Sequence, residues 1–366
     1  MGKYKICVYG VCKNEEKFAK RCMESLKDAD LVVFADTGST DNTVSVLREC
    51  GATVYEIPVS PWRFDVARNA CLEKIPEDID ICVCIDLDEV LENGWREALE
   101  NAWEEDTNRA TYLYIWKFND DGSPSVWYYH ERIHSRLNYK WIYPTHEVLN
   151  YLGEGEEKWC KAEGLTFKHY PDSKKSRSFN LPLLELAVKE NPHSVRNIHY
   201  LGREYYFAGE WDKGIETLKK YLSLKDATWK EERSFAMRYI ACCYKGKGDF
   251  DKAKLWLLKA ISESPKMREP YVEMAKIAYL EEDWNMILVM TNLALGIKEN
   301  LTNHHNEEFA WNETPYDLAS LAYYHIGDYE KSLEYVLEAL RLSPNDKRLK
   351  ENSKIIKNIT DNRKIG

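Results

Sequence analysis

A chain of 366 residues has room for two domains, or three. Its 44% hydrophobic content supplies ordinary cores and excludes a disordered chain. A formal net charge of −10 argues against a nucleic-acid or anionic-membrane partner, while leaving room for local basic patches.

The N-terminal MGKYKICVYGVCKNEE has no apolar signal core. No run approaches the roughly 20 residues of a spanning helix. The Met-Gly start carries Ile6 where myristoylation wants Ser or Thr. The ten cysteines form neither CxxC pairs nor a zinc-finger spacing, and Cys7, Cys82 and Cys84 fall in apolar strand runs, where Cys is a small hydrophobe. That usage fits a reducing compartment, so a cytoplasmic protein is expected. The sequons at Asn300, Asn312 and Asn358 read as chance in that setting.

From residue 3 to about 120, strand and helix alternate. YKICVYGV is a strand, and NEEKFAKRCMESL spaces Phe18, Cys22 and Leu26 for a helix. LVVFADTGS is a second strand. TDNTVSVLREC is a helix with Thr40 or Asp41 as N-cap, stopped by Gly51. ATVYEIPV, DICVCIDL and ATYLYIWKF are further strands, with helices FDVARNACLEKI and NGWREALENAW between them. Such alternation builds a mostly parallel sheet covered by helices on both faces. Ligands of these sheets gather beyond the carboxyl ends of the strands, where Asp36 and Asp86 fall. SVWYYHERIHSRL and WIYPTHEVLNYL then read as aromatic strands or hairpin arms, and TFKHYPDSKK closes the segment with a boundary near residue 176.

Beyond residue 178 there are no strand signals. Four helix–turn–helix stretches repeat, and aligning the aromatic after each turn picks out Trp211, Phe250, Trp284 and Tyr329. A period near 34 residues with this pattern is the tetratricopeptide signature, which stacks into a curved solenoid. The longest interval fits an insertion around KENLTNHHNEEFAWNETP, whose His304-His305 pair reads as solvated.

The densest chemistry lies at Asp86, Asp88 and Glu89, directly after the apolar run Ile81–Ile85. A buried strand ending in mutually repelling carboxylates calls for positive charge nearby. Lys13-Asn14-Glu15-Glu16 follows the first strand and ADTGSTDNT the second. Each alone is equally compatible with a helix start, a capped turn or a solvated loop.

In this order, with ARN at 67–69 between them, the three resemble the motifs of family 2 glycosyltransferases of the GT-A fold, over roughly residues 4–170. The resemblance implies a Rossmann-like catalytic domain using a nucleotide-sugar donor, with UDP the expected nucleotide. It places Asn14, Glu15, Asp36, Arg68 and Asp86 around the donor: Glu15 and Asp36 on uracil and ribose, Arg68 on diphosphate. Asp88 would bind Mn²⁺ or Mg²⁺, which suits a hard oxygen ligand.

An inverting transferase also needs a base to take the acceptor's proton. YPTHEVL offers Glu147 for this, with His146 as neighbour or substitute, and FKHYP offers His169 as a further metal or phosphate ligand. A paired surface Glu or a core His is the bland alternative. Of Trp62, Trp127, Trp141 and Tyr143, at most two are expected to line an acceptor cleft, because aromatics at strand spacing are mostly core. His130 and His134 have zinc spacing only on a helix, so no zinc site is expected on this strand.

The combined expectation is a GT-A transferase over 1–176 followed by an all-α tetratricopeptide solenoid over 177–366. The acceptor is expected to be a peptide or protein presented by the repeats, with homo-oligomerisation possible through them. Alternatives are a lipid-linked or cell-wall glycan acceptor, or an adaptor with a dead site. A nucleotidyltransferase is disfavoured because CKNEEK is not a Gly-rich phosphate loop.

Overall fold

The computed structural model describes residues 2–119, 122–172, 180–299 and 306–365. Two compact units emerge: Met1–Phe118 with Trp127–Ala187, and Asn119–Val126 with Val188–Gly366. The boundary expected near residue 176, Asn300 and the His304-His305 pair lie outside the described residues.

In the first unit the order is β1 (Ile6–Cys12), α1 (Glu16–Ser25), β2 (Leu31–Asp36), α2 (Thr43–Glu49), β3 (Thr53–Glu56), α3 (Phe64–Leu72), β4 (Ile81–Cys84), β5 (Glu89–Leu91) and α4 (Trp95–Ala102). Then follow β6 (Arg109–Phe118), β7 (Pro124–Ser135), β8 (Tyr139–Ile142), β9 (Val148–Tyr151), β10 (Trp159–His169) and α5 (Asn180–Glu190). Eight strands form one sheet in the order β3-β2-β1-β4-β7-β6-β10-β5, and β8-β9 form a small second ribbon. The β3-β2-β1-β4 half is parallel throughout, as the strand–helix alternation demands.

Both faces of this half are covered, which explains the uninterrupted apolar runs. Ile6 and Val8 of β1 pack with α1 and α4, while Cys7 and Tyr9 face α3 and the β8-β9 ribbon. Gly10 interrupts β1 for a steric reason. A Cβ there would lie 2.2 Å from the Ile85 carbonyl oxygen, so glycine lets the chain leaving β4 pass close.

Two strands escaped sequence reading. β5 is only three residues, and two of its neighbours in sequence, Asp86 and Asp88, are acids. β10 reads as polar in its first half, where a register break between Lys161 and Thr166 and left-handed Gly164 disturb the alternation. One cap also differs. Asn42, not Thr40 or Asp41, sits at the N-cap of α2 without a side-chain cap bond. Asp41 satisfies the helix start from one residue earlier, accepting from the Thr43 N–H at 3.0 Å, which frees Asn42 to bond Glu16.

The second unit is helical: α6 (Val195–Phe207), α7 (Trp211–Ser223), α8 (Lys230–Gly246), α9 (Phe250–Glu263), α10 (Glu269–Leu280), α11 (Trp284–Gly296), α12 (Thr314–His325), α13 (Tyr329–Leu342) and α14 (Lys347–Ile365). Trp211, Phe250, Trp284 and Tyr329 each open the second helix of a pair. Asp249, Asp283 and Asp328 cap three of these helices from the preceding position. The turn before them needs a left-handed residue, met by Gly209, Gly248 and Gly327 but by Glu282 in the third pair. The first helices also pack on one another (α6 on α8, α8 on α10, α10 on α12), which makes them the inner layer of the stack. No helix among the described residues is long and apolar enough to cross a membrane.

Candidate functional site

The site is assembled beyond the carboxyl ends of β1, β2 and β4, with contributions from α3, β7, β10 and the loop before β9. Two of its loops are stitched together. The Asn14 side-chain oxygen accepts from the Thr40 N–H at 2.7 Å, the Asn14 N–H donates to Ser39 Oγ at 2.9 Å, and the Glu15 N–H donates to Thr43 Oγ1 at 2.8 Å. Asp36, buried at the tip of β2, accepts from the Gly38 and Ser39 N–H groups, each at 3.0 Å, and so shapes the turn that follows it. Asn14 itself is left-handed at φ 55°.

The acid cluster is answered by two buried arginines. Arg68 donates from Nη2 to Asp86 Oδ1 at 2.8 Å and from Nε to Glu147 Oε1 at 2.6 Å, and its Nη1 meets Cys84 Sγ at 3.1 Å. Arg132 donates from Nη1 to Asp86 Oδ2 at 2.9 Å and from Nη2 to Glu89 Oε1. Glu89, almost wholly buried, also accepts from Tyr114 OH at 2.6 Å and from the Asp86 N–H at 2.9 Å. The acids thus belong to one continuous network of charge-assisted bonds, Glu147–Arg68–Asp86–Arg132–Glu89–Tyr114. Burial pushes the Asp86 carboxyl up, but Arg68 and Arg132 outweigh it and hold the group well below the usual aspartate range.

Asp88 stands apart from that network. Its Oδ2 lies 3.6 Å from His169 Nε2, and both side chains are mostly buried. His169 uses its other nitrogen, Nδ1, on the Trp116 carbonyl at 3.2 Å and stacks on the Trp116 ring at 4.2 Å. Nδ1 is therefore the protonated nitrogen, and the Nε2 lone pair faces a carboxylate. A carboxylate oxygen facing that nitrogen at 3.6 Å favours a positive charge there, either a proton on Nε2 or a metal ion. Burial lowers the His169 pKa, yet the Asp88 carboxylate reverses this and leaves it above its ordinary value. The pair also fits a hard divalent ion: a carboxylate oxygen and an imidazole whose orientation is fixed by a second bond. No group of three or more candidate ligands occurs among the described residues, so water and phosphate oxygens would complete such a shell.

Glu147 sits in a distorted loop. Tyr143 and His146 are both left-handed, at φ 80° and 49°, although neither is glycine. Strain of this kind persists only where surroundings enforce it, and it clusters at sites of function. Glu147 Oε2 has no hydrogen-bond partner among the described residues. The loop is held from below by Asn69, whose amide donates to the Trp141 carbonyl at 2.8 Å and accepts from the Trp141 N–H at 2.9 Å. ARN is thus a two-part device: Arg68 serves the acids and Asn69 clamps β8.

Of the four aromatics, Trp141 is core, donating from Nε1 to Tyr9 OH at 2.8 Å, while Trp62, Trp127 and Tyr143 are half-buried. His134 accepts from Tyr9 OH at 2.8 Å, and burial pulls its pKa down to about 3. His130 packs instead among Tyr112, Tyr114 and Tyr128. Arg132 and Tyr114 had no role in the sequence reading. The available signal was the unanswered charge of Asp86 and Glu89, combined with one arginine inside an aromatic strand run.

Residues 7–155 match the family model described as glycosyl transferase family 2, and residues 240–267 and 315–346 match the tetratricopeptide repeat. The lipopolysaccharide core biosynthesis glycosyltransferase LpsC of Rhizobium meliloti (strain 1021) is 31% identical over 98 residues, covering 26% of this chain and 36% of that protein. The chain thus matches about a third of that relative's length. Among solved structures, the APC/C hetero-tetramer Cut9-Hcn1 aligns with TM-score 0.41 and 14% identity, over 50% of this chain and 33% of that one. Pseudomonas aeruginosa pilF aligns with TM-score 0.38 and 16% identity, over 46% of this chain and 70% of that one.

Proposed function

From the premise that residues 7–155 are a glycosyl transferase family 2 domain, we propose that this chain transfers a sugar from a nucleotide-sugar donor, with inversion, to an acceptor hydroxyl or amide. The observation that carries the reading is the convergence of Arg68, Asp86 and Glu147 beyond the strand ends, with the separate Asp88–His169 pair following Asp86 by two residues.

The donor's nucleoside, UDP being the favoured nucleotide, rests against the stitched loops bearing Asn14, Glu15 and Asp36. Asp86, fixed through both oxygens, sets the edge of the ribose and diphosphate region. Arg68 acts as a positioning residue: it ties Glu147 Oε1 to Asp86 and leaves Oε2 to accept the acceptor's proton. His146, next in the strained loop, is the substitute base. A divalent cation held by Asp88 and His169, Mn²⁺ or Mg²⁺, would supply Lewis-acid neutralisation of charge on the departing diphosphate. All ten cysteines are free thiols, which supports a reducing, cytoplasmic setting.

For the acceptor, the repeat unit supports a peptide or protein, since inner helical faces suit extended partners. A glycan acceptor is the second reading, favoured by the similarity to LpsC, a lipopolysaccharide core biosynthesis glycosyltransferase. The decisive test is a panel of nucleotide sugars scored for donor hydrolysis with Mn²⁺, Mg²⁺ or chelator. Metal-dependent hydrolysis of one donor is expected. No hydrolysis and no thermal shift with any donor would leave a dead-site adaptor.

A further inference from the structure

The inner layer of the repeat unit is not bare. Residues 306–311, the described end of the insertion, lie against α8 and α10. Glu307 Oε1 accepts from Arg238 Nη2 at 2.5 Å and from Tyr239 OH at 2.7 Å. The Phe309 ring receives Lys276 Nζ at 3.5 Å from its centroid, with the Arg238 guanidinium 5.7 Å away. Behind them the segment is anchored: Glu269 Oε1 accepts from the Glu307 N–H at 3.0 Å and from Trp311 Nε1 at 3.1 Å, and Arg268 stacks 3.9 Å from the Trp311 centroid.

Two features separate 307–309 from ordinary core. Glu307, Glu308 and Phe309 are only half-buried, whereas Ala310 is wholly buried. Arg238 is 2% exposed, yet its Nε has no hydrogen-bond partner among the described residues, so the guanidinium fork is only partly used there. A buried arginine with spare donors is built to take a carboxylate in a bidentate grip, and Glu307 reaches it through one oxygen alone. Around it stand aromatic faces, Phe235 at 4.9 Å and Tyr239 at 4.4 Å, that fix the guanidinium plane.

We infer that the inner face around Arg238, Tyr239 and Lys276 is a recognition site for an extended peptide carrying a carboxylate and, two residues later, an aromatic ring, and that Glu307 and Phe309 hold this site in cis. The partner is a protein segment of that chemistry, and it binds by displacing 307–309 while Ala310 and Trp311 stay anchored. The inference does not depend on the transferase reading, because nothing in it involves the acid cluster or a sugar.

The test uses the full chain and a labelled peptide copying residues 306–314, NEEFAWNET, read by fluorescence anisotropy. Opening the site with the double substitution E307Q/F309A should tighten peptide binding at least tenfold over the unsubstituted chain. A peptide with its first Glu, the copy of Glu307, changed to Gln should lose that gain, as should adding R238M to the open variant. Hydrogen exchange on the unsubstituted chain guards against misfolding of the variants. The amides of 307–309 should exchange by local opening, faster than those of α8 and α10, and faster still with peptide present. Exchange of 307–309 only through global unfolding would overturn the inference. So would an open variant that melts at the unsubstituted temperature and gains no peptide affinity.

Discussion

Arg68 and Arg132 meet on a single carboxylate, one on each oxygen of Asp86 at 2.8 and 2.9 Å. Neither arginine is more than 10% exposed in its side chain, and Asp86 is the one anion that both share, beside Glu147 for Arg68 and Glu89 for Arg132. Asp86 therefore holds the fold together in addition to its proposed role at the donor, and this separates it from Asp88.

The first prediction follows from that separation. Asp86→Asn removes the anion that two buried arginines share and leaves each with one carboxylate, Glu147 for Arg68 and Glu89 for Arg132. Breaking a buried pair typically costs about 3–5 kcal/mol, so a clear fall in melting temperature is expected. Asp88→Asn touches no arginine and should melt within a few degrees of the unsubstituted chain, yet lose metal-dependent donor hydrolysis. Equal melting temperatures for both variants would contradict the network described for Asp86.

Glu147→Gln keeps the shape of the loop but cannot take a proton. Transfer should fall by about 10²–10⁴-fold with donor affinity unchanged. Arg68 retains Asp86 as a partner, so the fold should survive. Normal transfer in Glu147→Gln, paired with its loss in His146→Ala, would assign the base to His146.

The left-handed turn of the third repeat offers a stability test. Glu282, at φ 57°, occupies the place held by glycine in the other three pairs. A left-handed L-residue costs roughly 1–2 kcal/mol, offset in part by the extra unfolded-state freedom of glycine. Glu282→Gly should thus stabilise the repeat unit by about 0.5–1 kcal/mol in a urea titration. Destabilisation would mean that the Glu282 side chain contributes more than its backbone costs.

Acid sensitivity of the repeat unit should report on Glu273. Its carboxyl is pushed up by burial, but Lys276 and Lys245, bonded to it at 3.2 and 2.7 Å, pull it down to about 2. The folded pKa lies below the unfolded one of about 4.3, so the stabilisation is fully present above that value. It is lost as the pH falls from there toward 2. Glu273→Gln should flatten the loss of stability over this window and lower stability at neutral pH. A variant with an unchanged acid limb would show that other carboxylates dominate.

Truncation after Asn191 separates the two roles. The cut retains α5, whose Leu184 and Ala187 are buried and whose Asn180 accepts from Thr145 Oγ1 at 3.4 Å. The shortened chain, if folded by circular dichroism, should still hydrolyse donor and transfer far more slowly to the true acceptor. Transfer as fast as that of the full chain would refute the proposed presenting role of the repeats.

How far the sequence could be read depended on whether a feature is local. The strand–helix alternation and the turn aromatics Trp211, Phe250, Trp284 and Tyr329 are local, so both architectures were legible. The three acidic loops could be ordered along the chain because the parallel topology delivers them to one end. Arg132 was not legible: its partners Asp86 and Glu89 lie far away in sequence, and an arginine on a half-buried strand looks like a surface residue. β10 was hidden because its polar first half and left-handed Gly164 erase the alternation that marks a strand. The insertion was found, but its docking on α8 and α10 depends on long-range contacts that no periodicity encodes.

The spacing between Asp88 and His169 is maintained by backbone, not by side chains alone. Glu89 is the register partner of His169, and the Tyr170 N–H donates to the Asp88 carbonyl at 2.8 Å. The gap between the two side chains is therefore a dimension of the sheet, set when β5 and β10 zip together. A cation bound there, as proposed, would find Asp88 and His169 already positioned and would not need to organise a loop. The domain should accordingly fold without metal, and exchanging one ion for another should change chemistry more than architecture.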